Sequence, residues 1–183
     1  MSSEQASSAA VESSQPPRRR GLLLVLVALV VLAADVITKA VVVATLQGEP
    51  PVRVLGGLVY LQLVRNPGAA FSMATGMTWV LSLIAIAVVA AIVWIMPRLR
   101  SVGWAIGLGL VLAGALGNLA DRVFRAPGPL RGHVIDFVSV FAPNAEVFPV
   151  FNVADSAITC GGVLIVLLAL LGRDYDGRST RAS

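Results

Sequence analysis

One cysteine and one histidine are all this chain has of the residues that build disulfides and soft-metal sites. A lone Cys160 excludes an internal disulfide. His133 stands far from it in sequence, behind a Gly- and Pro-rich turn, so neither Cys/His metal ligation nor a thiol–imidazole nucleophile is supported. Cys160 lies inside an apolar run and reads as a small buried hydrophobe. Charge is scarce as well. Asp, Glu, Lys and Arg make up 13% of the 183 residues, against about 25% in soluble domains. No basic stripe alternates with aromatic residues, which argues against a nucleic-acid partner. No internal repeat is visible, and no motif asks for a metal or a cofactor.

What the chain does have is apolar sequence: 57% hydrophobic residues and a mean hydropathy of +0.85. Lipid, not a large aqueous core, is the implied solvent. Four apolar runs stand out, at about residues 21–46, 78–96, 102–123 and 151–171. Each is near the ~20 residues that cross a hydrocarbon layer of ~30 Å. Backbone in lipid must satisfy its own hydrogen bonds, so the runs are read as helices. The first follows Arg18, Arg19 and Arg20 and has the look of a cleaved signal peptide. It is too long for that and has no clean small-residue cleavage site, so it is read as a retained helix. Residues 1–17 read as a disordered tail, 18–172 as one four-helix membrane domain, and 173–183 as a short C-terminal tail.

Lys and Arg placement sets the orientation. With four spans, Arg18–Arg20, Arg98, Arg100, Arg173, Arg178 and Arg181 share a side, which the positive-inside rule makes cytoplasmic. Arg53, Arg65, Arg125 and Arg131 on the other side make the bias moderate. Both termini then lie inside and two longer loops lie outside. The first, about 47–77, holds short β-type stretches, which predicts a small extracytoplasmic sheet. The second, about 124–150, is rich in Pro and Gly and reads as irregular, with residues 134–138 a short strand or a helical turn.

Ionisable residues inside spans are costly and point to function. Here they crowd into the outer halves and are nearly absent from the inner ones. Asp35 and Lys39 are four apart, on one helix face, either as a packing pair or with a direct role toward substrate. Asn118, Asp121 and Arg122 share a face of the third span, where Arg122 can hold a carboxylate or a polar lipid-linked group and Asp121 reads as a structural ion-pair partner. Asp155 lies in the first turn of the fourth span, deeper than Asn152, which can cap that end. Asp136 sits among the apolar Val134, Ile135, Phe137 and Val138, which anchors it at the membrane surface. Two acids converging at one level suit acid–base chemistry: one keeps a proton and the other activates water. Spacing alone permits this pair without establishing it.

Five segments in order resemble the bacterial lipoprotein signal peptidases (signal peptidase II, peptidase family A8). They are residues 35–39 (DVITK), 66–72 (NPGAAFS), 117–122 (GNLADR), 134–137 (VIDF) and 151–156 (FNVADS). The resemblance covers roughly residues 21–171. It implies an α-helical integral membrane protein of four transmembrane helices with a small extracytoplasmic β-cradle. It also implies an aspartyl endopeptidase whose catalytic dyad is Asp136 and Asp155. Asp35, Lys39, Asn66, Gly68, Asn118, Arg122, Asn152 and Ala154 would surround the dyad as supporting and substrate-binding positions, with Asp121 structural. The implied substrate is a diacylglyceryl-modified prolipoprotein, cut just before its lipid-bearing cysteine. The implied setting is the bacterial cytoplasmic membrane, with the site at the outer face, a monomer, membrane lipid around it, and inhibition by globomycin-type peptides. Gly68, Ala69 and Ala70 would let substrate backbone come close, or are a plain turn. Departures are small: Pro67 stands where Thr is common, the N-terminal tail is longer than in the shortest members, and residues 125–131 are richer in Pro and Gly. A small transporter or proton relay would instead spread acids through the depth of the membrane. A non-catalytic assembly factor would need no paired acids at a wet level.

Overall fold

The computed structural model describes residues 19–68 and 77–177. The element order is α1 (Gly21–Leu46), β1 (Val52–Val54), β2 (Val59–Asn66), α2 (Thr78–Ile95), α3 (Val102–Phe124), β3 (Val134–Val140) and α4 (Val153–Leu170). The four helices are long and apolar enough to cross a membrane. The expected tail at 1–17, most of the C-terminal tail with Arg178 and Arg181, and Ala69 and Ala70 lie outside the described residues.

α3 is the central helix. In its most apolar stretch 56% of residues are buried, against 17%, 11% and 22% in α1, α2 and α4, whose outer faces are left for lipid. Its start is fixed by Ser101, whose hydroxyl accepts from the Trp104 N–H. Small residues make its central position possible. A side chain at Gly114 would run into the carbonyl of Ala154, and one at Gly117 into the Asp35 carboxylate. At the end of the bundle where α1 begins and α4 finishes, Leu24, Ala28, Ile92, Leu99, Ala105, Leu108, Leu112 and Ala113 form an apolar core. There the carbonyl of Tyr175 accepts from Arg100 N (2.8 Å) and Ser101 N (3.1 Å), and Arg20 N donates to Leu99 O (2.8 Å).

The opposite end carries a three-stranded antiparallel sheet in the order β1-β2-β3. β2 and β3 register Val64 with Asp136 and Asn66 with Val134, and the pairing shifts between Leu61 and Val64. At 26 residues α1 is about 39 Å long at ~1.5 Å per residue, more than a hydrocarbon core needs. The surplus is used: Val42, Val43 and Leu46 pack under the sheet with Ile135, Phe137, Leu61 and Leu63.

Three expectations are adjusted. Residues 134–140 are a strand, because β2 offers an edge for them to pair with, so the second loop is less irregular than its Pro and Gly content suggests. α4 begins at Val153 rather than 151, because Phe151 is used in a bridge to Val138. Cys160 is exposed rather than buried, since an apolar run in lipid does not distinguish the protein-facing side of a helix from its open side.

Candidate active site

Asp136 is delivered by the middle of β3 and is 2% exposed. Its Oδ2 accepts from Asn66 Nδ2 (2.8 Å) and its Oδ1 from Asn152 Nδ2 (2.7 Å). Asn66 ends the neighbouring strand, and its Oδ1 accepts from Gly68 N (2.9 Å). That Asx-type turn aims the amide N–H₂ at Asp136.

Asp155 is delivered by the first turn of α4. Asn152 caps the helix by accepting from Asp155 N (2.9 Å), and Asp155 Oδ2 accepts from Asn152 N (3.2 Å). This is a reciprocal capping box. Asp155 lies three residues inside the N-cap Asn152, as the sequence suggested, and its side chain is at the same time part of the cap. Only one of its oxygens is used this way; the other accepts from Asn118 Nδ2 (2.7 Å). Asn152 thus touches both acids, and the position of one is tied to that of the other.

Behind the acids lies a buried charge cluster. Lys39 Nζ sits 2.8 Å from Asp35 Oδ2 and 2.9 Å from Asp121 Oδ2, and donates to Asn118 Oδ1 at 3.2 Å. Asp35 Oδ1 accepts from the backbone N–H of Ala154 (2.9 Å), which moors α4 to α1. Asp121 also pairs with Arg125 and accepts from Ile135 N (3.2 Å), the residue before Asp136. Lys39 has a second consequence: holding the Oδ1 of Asn118 leaves its N–H₂ for Asp155.

A cavity of about 580 Å³ opens onto the acids. Asn66, Gly68, Asn118, Arg122, Asp136 and Asp155 form its polar side, while Leu81, Phe148, Val150, Phe151, Thr159 and Cys160 form much of the rest. Asp35, Lys39, Asn152 and Ala154 are not in the wall; they are the buried supports behind it. Arg122 is 8% exposed, gives Nη1 to Asn118 O (3.3 Å) and leaves Nε without a protein partner. The apolar wall was not foreseen. Its only sequence signal is the run of Ser156, Thr159 and Cys160 on one face of an otherwise aliphatic helix.

The electrostatics separate the proton positions. Burial, and then the charge of Asp155, push Asp136 up to about 7, while the Asn66 and Asn152 hydrogen bonds and Lys39 pull it back. A carboxyl in that range exchanges its proton near neutrality, as acid–base catalysis requires.

Comparison with known proteins identifies the family. A family model described as signal peptidase (SPase) II, Peptidase_A8, matches residues 27–171. The chain belongs to the signal peptidase II family. It is similar to the lipoprotein signal peptidase of Rhodococcus jostii (strain RHA1), 59% identical over 145 residues, which are 79% of this chain and 71% of that protein. The lipoprotein signal peptidase of Mycobacterium tuberculosis (strain ATCC 25618 / H37Rv) is 56% identical over 142 residues, 78% of this chain and 68% of that one. Two solved structures, each described as a bacterial membrane enzyme determined by the in meso method, share the fold. One has a TM-score of 0.68 at 30% identity, covering 81% of this chain and 87% of that chain. The other has 0.71 at 29%, covering 87% and 99%. The chain is accordingly a bacterial membrane peptidase with four helices and a small sheet. All five segments that carry the resemblance fall inside the matched residues.

Proposed function

We propose that this signal peptidase II family member removes signal peptides from diacylglyceryl-modified prolipoproteins with Asp136 and Asp155 as its catalytic dyad. The observation that carries the reading is the pair of acids on one cavity wall, tied together by Asn152 and with Asp136 raised to about 7. Asp136 then carries a proton at pH below about 7. Asp155 takes a proton from a water, and the oxygen attacks the carbonyl carbon of the scissile bond. Asp136 gives its proton to the carbonyl oxygen. On collapse, Asp136 recovers a proton from the tetrahedral diol, Asp155 passes its own to the leaving nitrogen of the lipid-bearing cysteine, and the C–N bond breaks. Arg122 lines the cavity beside the two acids and is positioned to hold a polar group of the substrate.

The sheet end faces outward in this reading, with both termini cytoplasmic, so water reaches the acids at the interface while the signal helix and acyl chains enter from lipid. Every group named in the mechanism comes from one chain, which suits a monomer. A globomycin-type cyclic peptide would compete for the same cavity. The test is cleavage of lipidated prolipoprotein by purified Asp136→Asn and Asp155→Asn proteins. Both should fold and neither should cleave; full activity in either removes that residue from the dyad.

A further inference from the structure

α2 has the least buried surface of the four helices, and its buried residues are Thr78, Ser82 and Ile92. Two of these three are hydroxyls one turn apart at the sheet end. A helix that mostly faces lipid has no packing need for them there. Each leaves the helix to grip a different loop. Thr78 Oγ1 donates to the carbonyl of Pro67, the residue that follows Asn66. Ser82 Oγ donates to the carbonyl of Leu130 at 2.8 Å, with a longer contact of 3.2 Å to its own helix at Thr78 O. A serine that merely satisfied itself would use the carbonyl four residues back. Here the shorter contact is the one that leaves the helix.

What is gripped matters for the acids. Leu130 has φ +62°, a backbone conformation uncommon for a branched side chain, so its carbonyl needs something to hold its direction. The same turn is folded onto α3 by Gly132 N donating to Arg122 O (2.9 Å) and is closed by His133 N donating to Ala126 O (3.0 Å). The chain then runs directly into β3 and Asp136. One face of α2 therefore fixes the segment just after Asn66 and the segment just before β3. The β2–β3 register brings Asn66 beside Asp136, and these two segments continue from the end of that ladder, where they steady the bond from Asn66 Nδ2 to Asp136 Oδ2.

We infer that Thr78 and Ser82 are positioning residues, a two-hydroxyl latch by which α2 keeps Asn66 aligned on Asp136. The inference rests on the reading of Asp136 as a catalytic acid. Neither hydroxyl lies in the cavity wall; Leu81, between them in sequence, does, so the same turn of α2 also sets one side of the substrate space.

The test uses the full-length protein in detergent with lipidated prolipoprotein as substrate. Thr78→Val and Ser82→Ala remove one hydroxyl each at nearly constant volume, and Thr78→Ser keeps the hydroxyl. The expected result is a kcat about tenfold lower in the valine and alanine variants, since misplacement by an ångström can cost ~100-fold. KM should change little, and Thr78→Ser should retain most of the activity. The alkaline limb of the pH profile should also move up, because a loosened Asn66 no longer favours the charged form of Asp136. The other charged groups around Asp136 stay in place: Asp155 on α4, Lys39 on α1 and Arg122 on α3. Unchanged kcat and pH limb in both variants would overturn the latch. So would a loss that simply follows the unfolded fraction, or Thr78→Ser failing as badly as Thr78→Val. Asp136→Asn in the same assay separates the two levels. If it cleaves, the dyad reading itself is wrong; if it is dead while Thr78→Val and Ser82→Ala are normal, only the latch is wrong.

Discussion

At the end of the bundle where α1 begins and α4 finishes, α1, α2 and α3 meet through Leu24, Ile92, Leu108 and Leu112. At the sheet end of the same bundle the equivalent space is filled by Lys39, Asp35, Asn118, Asp121, Arg122 and Asn152, all buried. The side chains of the first region meet through apolar contact, which asks for shape but not for polar partners. The second holds charges out of water, which is expensive unless each is paired and hydrogen-bonded. That cost is met group by group: Lys39 against two carboxylates, Asp35 against the Ala154 N–H, Asn152 against both acids. One end thus fixes the fold while the other fixes the angle and distance between two carboxyls.

The comparison breaks most visibly at Lys39. Lys39→Met leaves Asp35 and Asp121 buried without their shared cation, a loss of about 3–5 kcal/mol for a severed buried pair. Thermal unfolding in detergent should show most of the protein destabilised or unfolded, with cleavage lost. Adding Asp35→Asn should recover part of the stability, because the uncompensated charge goes with it. Recovery of activity should lag behind, since Asn118 still lacks the contact that turns it toward Asp155.

Leu112→Ala sharpens the other side. In lipid the transfer contribution largely cancels, because the unfolded helices also sit among acyl chains. What remains is the lost packing, about 1–2 kcal/mol. Stability should fall by that amount while kcat per folded molecule stays unchanged. A kcat that dropped with it would mean that the two ends are not separable.

Asn66 carries the smallest expected change in stability of the three, and its effect is read in the pH profile. Its bond to Asp136 favours the ionised form and so holds that carboxyl down. In the proposed mechanism cleavage needs the proton on Asp136, which is present below about 7 and lost above it, so activity is expected to decline as pH rises through that value. Asn66→Ala removes a contribution that lowers the pKa, and its alkaline limb should lie at higher pH than that of the wild type. A limb shifted downward would contradict the assignment.

Much of this architecture was legible in the sequence because lipid leaves the backbone few choices. The first helix spans the residues its apolar run predicted, and the crowding of acids toward one end follows from where water is. Other features depend on partners that no local pattern reveals. Residues 134–140 read equally as a strand or a turn, since only the free edge of β2 decides. The spacing of Asn152 and Asp155 held the capping box in plain view, with Asp155 one turn inside the cap, but not that its second oxygen meets Asn118. Ser156, Thr159 and Cys160 mark one face of α4, but nothing local says that this face lines a cavity rather than meets another helix. The hydroxyls of Thr78 and Ser82 look like ordinary tolerated polar residues until their loop partners are known.

The account stands on one shared proton between two carboxyls at the sheet end. Infrared difference spectroscopy of the detergent-solubilised enzyme, scanned over pH, reads a protonated carboxyl directly. The expected result is a carboxylic-acid band that persists far above the ordinary aspartate range of about 3.9, disappears with a midpoint near 7, and is missing from Asp136→Asn. A wild-type spectrum with no such band at mildly acidic pH, or one that Asp136→Asn leaves untouched, would contradict it.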